Sequence, residues 1–386
     1  MILGTVGFML GTGGTALVAA TYGAGDRARA NRYFSLLVYT AFLIGVVFTV
    51  LGFFLIRPVA QLLGAEGALL ENCILYSRII LAAMPFYVLQ VMFQSFFVAA
   101  EKPRLGLLVT ILSGLTNMIL DAVLVILLPQ AYKLAGAAIA TAIAQTVGGI
   151  VPLFYFFRKN SSFLRLGKTH FDGGALVKAC INGSSEFMSN ISMSIVGILY
   201  NAQLMRLGGE NGIAAYGVMM YVSMIFASTF VGYCVGMAPV VSFHFGAENT
   251  SELKGLLRKG LVIIGVFGIT MTIAAELLST PLSAFFVGYD KELLQLTVFG
   301  FRIFSLSFLF MGFGIFTSSF FTALNDGVTS AIVSFLRTLV FQCAAILLLP
   351  ALWGIDGVWI AVVAAEVMSV VVSIVFLLAK KGKYHY

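Results

Sequence analysis

Tyr22-Gly23-Ala24-Gly25-Asp26 and Phe245-Gly246-Ala247-Glu248-Asn249 carry one pattern, aromatic-Gly-Ala-x-Asp/Asn, 223 positions apart. Each follows a long apolar run and precedes another, so each reads as a tight turn between two helices. The likeness extends outward from both turns in the same order. Pro58 matches Pro281, Ser77-Arg78-Ile79 matches Phe301-Arg302-Ile303, and Phe96-Phe97-Val98-Ala99 matches Phe320-Phe321-Thr322-Ala323. Pro129 matches Pro350 and Gly136 matches Gly357, with the offset drifting only to 221. An ordered series of this kind is an internal duplication.

The runs between these marks are too apolar for water. Of 386 residues, 60% are hydrophobic and only 10% are charged, against about 25% charged in an average soluble domain. Lipid is the solvent that such a surface fits. A helix crossing a bilayer needs roughly 20 mostly apolar residues. Spans are expected at 1–22, 33–55, 74–100, 105–128, 134–157, 176–207, 213–245, 256–279, 293–324, 329–349 and 355–379, eleven in all. The cysteines Cys73, Cys180, Cys234 and Cys343 are widely separated and lack metal-ligand spacing, so neither a disulfide framework nor a zinc site is expected.

Orientation follows from the basic residues. Sixteen of the 23 Lys and Arg lie in alternate loops, among them Arg27, Arg29, Arg32, Lys102, Arg104, Arg165, Lys168, Lys254, Arg258 and Lys380. The other loops hold only Arg57, Lys133, Arg206 and Lys291. Cytoplasmic loops carry the excess of Lys and Arg, so the Gly23 and Gly246 turns both face the cytoplasm. The net charge of +7 then belongs to loops facing anionic headgroups, and no nucleic-acid partner is implied.

Two copies with the same orientation pack about a pseudo-twofold axis along the membrane normal, with a substrate cavity between them. The expected fold is an all-α membrane protein, a polytopic bundle of two related six-helix lobes. Residues 1–158 form the first lobe, 159–175 a cytoplasmic loop, and 176–386 the second lobe. Met1 aligns near position 224, inside the second lobe's second span, so the first lobe shows five spans here. Equal repeats predict a twelve-span parent with roughly 45–50 further residues ahead of Met1.

Ionisable groups inside a bilayer cost at least about 2.5–3.5 kcal/mol each, which makes each a functional candidate. Asp121 leads. It stands four residues after Asn117, a spacing that puts both side chains on one helical face, and Thr141 in the next span offers a hydroxyl. Oxygen donors of this kind suit a hard cation such as Na⁺, and burial would let Asp121 take up a proton near neutral pH. A capping or pairing role near the outer end of its span is the alternative.

Glu186 sits among Ser184, Ser185, Ser189, Asn190 and Ser192, and so many small polar groups on one helix suggest a cavity lining. An inner-end carboxylate wetted by water is the other reading. Tyr200, Asn201 and Gln203 add polar contacts nearby. Met188, Met193, Met205, Met219, Met220 and Met224 offer either an adaptable pocket or, more commonly, core filling. Arg337 and Glu366 lie on neighbouring antiparallel spans, roughly 12 and 20 Å deep at about 1.5 Å per residue. An interhelical ion pair with a structural or gating role is expected. Arg78 and Arg302 recur near the outer face, where snorkelling accounts for them.

Other classes lack their signatures. No GxxxxGK[ST] phosphate loop exists, so ATP is not an expected partner. The three histidines share no metal-ligand spacing and no HExxH occurs, so an intramembrane enzyme is not expected. The glycines of Gly11-Thr12-Gly13-Gly14 read as close helix packing.

The chain resembles the MATE (multidrug and toxic compound extrusion) family of the MOP superfamily, and its DinF-like and MepA-like branch in particular. The likeness rests on Gly23-Ala24-Gly25-Asp26-Arg27 after the glycine-rich span end, and on Asn117-Met118-Ile119-Leu120-Asp121. It rests also on Asn182-Gly183-Ser184-Ser185-Glu186, on Ser334-Phe335-Leu336-Arg337-Thr338, and on Ala364-Ala365-Glu366. It implies a multi-pass protein of the bacterial plasma membrane, working as a monomer. The implied activity is H⁺- or Na⁺-coupled antiport of small amphipathic, often cationic, compounds by alternating access, with no cofactor. Asn117, Asp121 and Thr141 match the family's first-lobe cation site, and Glu186 becomes a second protonatable or substrate-contacting carboxylate. The family's usual acidic residue of the first span has no counterpart here. Two alternatives stand beside this reading: a lipid-linked oligosaccharide flippase of the same superfamily, which would want a basic cavity, and a truncated, inactive fragment.

Overall fold

The computed structural model describes residues 2–386, the side chains of Ile2 and Ala131 excepted. The helices are α1 (Ile2–Gly23), α2 (Arg27–Leu62), α3 (Gly67–Ala82), α4 (Met84–Ala99), α5 (Pro103–Leu127) and α6 (Lys133–Phe157). They continue with α7 (Gly173–Gly246), α8 (Thr250–Val287), α9 (Lys291–Ser305), α10 (Phe308–Ala323), α11 (Gly327–Phe335) and α12 (Phe341–Tyr384). A π-helical turn, Leu336–Val340, joins α11 to α12.

Seven helical stretches are long and apolar enough to cross a bilayer, and two bent pairs add one crossing each. Two of the seven stretches are double. Gly209 (φ 58°, ψ −148°) breaks α7, and Gly354 (φ 58°, ψ −135°) breaks α12. Only a residue without Cβ adopts this backbone readily. Divided there, the described residues make eleven crossings. The chain is a multi-pass membrane protein.

The two bends are the main departure from straight spans. The expected span 74–100 is the pair α3 and α4, bent by 54°, and the expected span 293–324 is the pair α9 and α10, bent by 45°. Pro85 stands in the first turn of α4, where a missing N–H costs nothing. At the second bend the Ser305 hydroxyl lies within hydrogen-bond distance of the Arg302 carbonyl (2.7 Å) and of Glu276 Oε1 (2.5 Å), and its one proton serves one of them at a time; the first of these bonds competes with the helix ladder.

The duplication holds down to single hydrogen bonds. Asp26 caps α2 by accepting from the Arg29 N–H (2.8 Å), and Asn249 caps α8 by accepting from the Glu252 N–H (3.2 Å). Before these caps the N–H of Ala24 reaches Ala20 and that of Ala247 reaches Phe243, while Gly25 and Glu248 both take positive φ. The α4 and α10 ends match too. The Lys102 N–H donates to the Phe97 carbonyl and the Asp326 N–H to the Phe321 carbonyl, across Glu101 and Asn325 at φ near +60°.

The chain divides into two compact units, Met1–Gly183 and Ser184–Tyr386. The segment after α6 belongs to the first unit because α2 holds it. Asn31 donates to the Phe163 carbonyl and accepts from the Arg165 N–H, Ser35 accepts from Gly167, and Thr169 donates to the Arg32 carbonyl. The start of α7 follows, because a Cβ on Gly13 would strike the backbone at Ala179 and Gly183, and one on Gly183 would strike Met9. Bare backbones let α1 and α7 approach this closely.

Lipid rather than water explains what is buried. On α5 the one buried residue is Ser113, while Leu107, Leu108, Ile111, Leu112, Leu115, Met118 and Ile119 are exposed. That helix is inside out for water and correct for a bilayer. The interiors are aromatic: Phe34, Phe93, Phe96 and Phe156 in the first unit, and Phe230, Phe301, Phe308, Phe316 and Trp359 in the second. The singled-out methionines do not gather; Met219 is buried, whereas Met193, Met205 and Met224 are exposed. Arg78 and Arg302 are both exposed, as snorkelling requires.

The second unit closes on its own C-terminus. Asp326 caps α11 through the Thr329 N–H (3.3 Å) and accepts from the Tyr384 hydroxyl (2.7 Å), with Lys380 at 3.4 Å. Burial alone would raise the Asp326 carboxyl, but these hydrogen bonds and the Lys380 charge outweigh it and hold it below the usual carboxylate value. A depressed native pKa adds stability above the unfolded value of about 3.9, lost as pH falls through the native one. Hydrogen-exchange protection of residues 380–386 is therefore expected at neutral pH and lost in acid. Asp326→Asn should weaken that protection at neutral pH and flatten its pH profile; full protection retained in that variant would contradict this account.

Candidate functional site

The first unit's polar residues line one face of α5. Ser113, Asn117 and Asp121 recur at i, i+4 and i+8, so one turn separates each from the next. Asn117 Nδ2 donates to Thr141 Oγ1 of α6 (3.3 Å), and Thr141 in turn donates to the Ala137 carbonyl (3.1 Å). Two turns from Asp121, Gln90 of α4 donates to Ser113 (3.1 Å), which donates to the Ala144 carbonyl (2.8 Å).

Asp121 is half-buried and its Oδ1 is completely buried without a hydrogen-bond partner. Gln90 Oε1 and Gln145 Oε1 share that condition. Buried oxygens normally find donors, and each that does not requires an explanation. The Asp121 carboxylate one turn from the bonded Asn117–Thr141 pair places oxygens of the kind that a small hard cation takes along one face of α5. Among the described residues no group of three His, Cys, Asp or Glu side chains comes together as a metal cluster. The site is built on one carboxylate.

Gln90, Ser113 and Gln145 were not singled out from the sequence, although Ser113 continues the four-residue spacing of Asn117 and Asp121. Gln90 fits because α6 presents Gly148 to it; a Cβ there would meet the amide.

The second unit repeats the ladder with different chemistry. At the offset of 221, Ser113, Asn117 and Asp121 correspond to Ser334, Thr338 and Gln342, and Gln145 corresponds to Glu366. Gln342 accepts from the Tyr200 hydroxyl (2.9 Å), and the Tyr200 ring stacks on Tyr216 at 5.2 Å. Glu366 accepts two hydrogen bonds from Arg337, Nε to Oε2 and Nη2 to Oε1, each 3.0 Å. Arg337 lies in the π-helical turn and crosses α10 at Gly314, where any Cβ would collide with its side chain.

A buried hydroxyl chain runs beside this pair. Ser185 approaches Thr322 (3.5 Å), Thr322 bonds Ser330 (2.7 Å), Ser330 bonds Ser318 (2.8 Å) and Ser318 bonds Ser334 (2.7 Å). Glu186 is half-buried and forms no ion pair among the described residues. Ser189, Asn190 and Ser192 turn back on their own helix, donating to the carbonyls of Ser185, Glu186 and Met188. Each of these bonds stays within α7.

A sequence profile of the MatE family matches residues 1–123 and 187–346, more than half of the chain. The chain belongs to the MATE family. The two matched segments end 223 residues apart, the spacing of the two Gly-Ala turns. MATE proteins are transporters, and this one is a multi-pass protein of the plasma membrane. The multidrug export protein MepA of Staphylococcus saprophyticus is 23% identical over 98% of this chain and 83% of its own length. The probable multidrug resistance protein NorM of Thermotoga maritima is 21% identical over 96% of this chain and 80% of its own. A solved structure of a multidrug resistance MATE family transporter in its outward-facing conformation superposes with a TM-score of 0.91 at 21% identity, covering 99% of this chain and 86% of that one. A likeness at that identity establishes the MATE fold.

Proposed function

We propose that this chain exports small amphipathic, often cationic, compounds in exchange for H⁺ or Na⁺, by alternating access and as a monomer. The observation that carries the reading is the buried, partnerless Asp121 Oδ1. A bound cation or proton would neutralise that carboxylate. Asn117 and Thr141 would hold it in register, since their mutual hydrogen bond ties α5 to α6.

Asymmetry between the repeats supports this assignment. Where the first copy has Asp121, the second has neutral Gln342, already engaged by Tyr200. Where the first copy has Gln145, the second has Glu366, already engaged by Arg337. One ionisable group of the ladder is left without a partner. Glu186, with Ser189, Asn190 and Tyr200 on the same helix, is assigned to substrate or proton coupling, and Arg337–Glu366 to structure and gating. The export names of MepA and NorM point the same way. A deep basic lining, which a lipid-linked oligosaccharide flippase would want, is not favoured when Arg337 is neutralised by Glu366.

The test is uptake of a fluorescent lipophilic cation into proteoliposomes under a pH gradient or a Na⁺ gradient imposed separately. Acceleration by one gradient is expected. Uptake indifferent to both gradients would refute coupling.

A further inference from the structure

A cavity of about 150 Å³ opens at the start of α2, lined by Arg29, Arg32, Tyr33, Thr169, His170 and Asp172. It lies wholly within the first unit and takes no part in the Asp121 site. Two hydrogen bonds tie its walls together. Thr169 donates to the Arg32 carbonyl (3.0 Å), which fixes the segment after α6 against α2. Arg29 Nε donates to the Tyr33 hydroxyl (2.7 Å), its guanidinium 5.3 Å from the centre of that ring. Both terminal nitrogens of Arg29 are left over, the fork that matches a phosphate.

The charges at this spot are the reverse of what a helix start favours. Helix N-termini carry partial positive charge and attract anions. Yet α2 opens with Arg27, Arg29 and Arg32 and has no acid in its first turn. The repeat supplies the comparison. At the offset of 223 the start of α8 has Thr250, Glu252, Gly255 and Leu256 where α2 has Arg27, Arg29, Arg32 and Tyr33. The second copy therefore has no arginine at these positions, and its own cations, Lys254, Arg258 and Lys259, stand at others along α8. Asp26 and Asp172 lie near enough to attract Arg29, but neither forms an ion pair with it: Asp26 accepts from the Arg29 N–H and Asp172 from the Ala175 N–H. None of the ion pairs among the described residues includes the three arginines.

We propose that this cavity binds the phosphate of an anionic phospholipid headgroup between Arg29 and Arg32. Lipid is the source because α2 leads from the cavity into the bilayer. Tyr39, Leu43, Val47 and Val50 are exposed along it, at spacings that continue the Arg32 face, and give an acyl chain a track. By the positive-inside rule this face is cytoplasmic, where anionic lipid headgroups meet basic pockets.

The test uses the full chain in uncharged detergent, titrated with short-chain phosphatidylglycerol, short-chain phosphatidylcholine or inorganic phosphate. Bound lipid is counted by native mass spectrometry and stability is read from the thermal midpoint. Phosphatidylglycerol should bind and raise the midpoint, and the other two should not. Arg29→Gln with Arg32→Gln should weaken its binding about thirty-fold, the effect of two arginines near a charged headgroup. Arg258→Gln with Lys259→Gln, an equal loss of charge at exposed positions of α8, should leave binding unchanged. Arg29→Lys with Arg32→Lys keeps both charges and should lose less than the Gln pair, so a misfolded Gln pair would not end the test. Equal binding of phosphatidylcholine, equal effect of inorganic phosphate, or equal loss in the α8 variant would each overturn the proposal. Because none of these readouts is transport, failure here would leave the Asp121 assignment standing.

Discussion

Asp121→Asn is expected to insert and fold normally while gradient-driven efflux falls to the level of empty vesicles. The substitution keeps the shape of the side chain and removes the charge. A cation or proton would then have no neutralisable group on α5, since Asn117 and Thr141 are uncharged and bonded to each other. Folding should not suffer, because the wild-type Oδ1 has no donor to lose. Leaving one buried polar atom unsatisfied costs about 1–3 kcal/mol, and the wild type already bears that cost. The thermal midpoint should accordingly stay level or rise by a few degrees. Substrate exchange without a gradient should persist, because that readout tests the substrate path alone. Gradient-driven efflux at the wild-type rate in this variant would remove Asp121 from the mechanism.

Much of this was legible in the sequence because lipid makes polar residues conspicuous. Asp121, Arg337 and Glu366 stand out inside apolar runs for one reason: each would be costly there without a purpose. The duplication was legible because turns need particular residues. Gly25, Asp26 and Asn249 serve a left-handed position and two helix caps, and those needs recur wherever the same turn recurs. The bend at Ala83 has a visible cause in Pro85, whereas the bend after Ser305 has no proline, and the contacts of its hydroxyl with the Arg302 carbonyl and Glu276 are ones that no spacing reveals.

The same limit applies to α7. Ser189, Asn190 and Ser192 read as cavity-lining groups, and each also donates to a carbonyl four residues back. Composition shows that polar groups are present but not which acceptor they find. Gln90 and Gln145 escaped notice because amides carry no charge to mark them. The repeat would have found Gln145, since it occupies the position of Glu366.

That correspondence also sharpens what should happen when the ion pair is broken. Arg337 and Glu366 meet through two hydrogen bonds, with side chains only 16% and 3% exposed. Removing one partner of such a pair leaves a buried, uncompensated charge and costs about 3–5 kcal/mol. The two single variants should not be equal. A carboxylate can shed its charge by binding a proton, whereas an arginine does not lose its own. Glu366→Gln, which strands the guanidinium across Gly314, should therefore be the more destabilising. Arg337→Thr, which leaves Glu366, should cost less. The double variant installs what the first repeat carries at these positions, Thr116 and Gln145. It should recover most of the loss, because replacing both members of a buried pair is often neutral. Thermal unfolding of all four proteins in one detergent gives the coupling energy directly. If the double variant were as unstable as the two singles summed, the pair would not act as a unit, and the contact between α12 and the π-helical turn would owe its stability to the surrounding apolar packing.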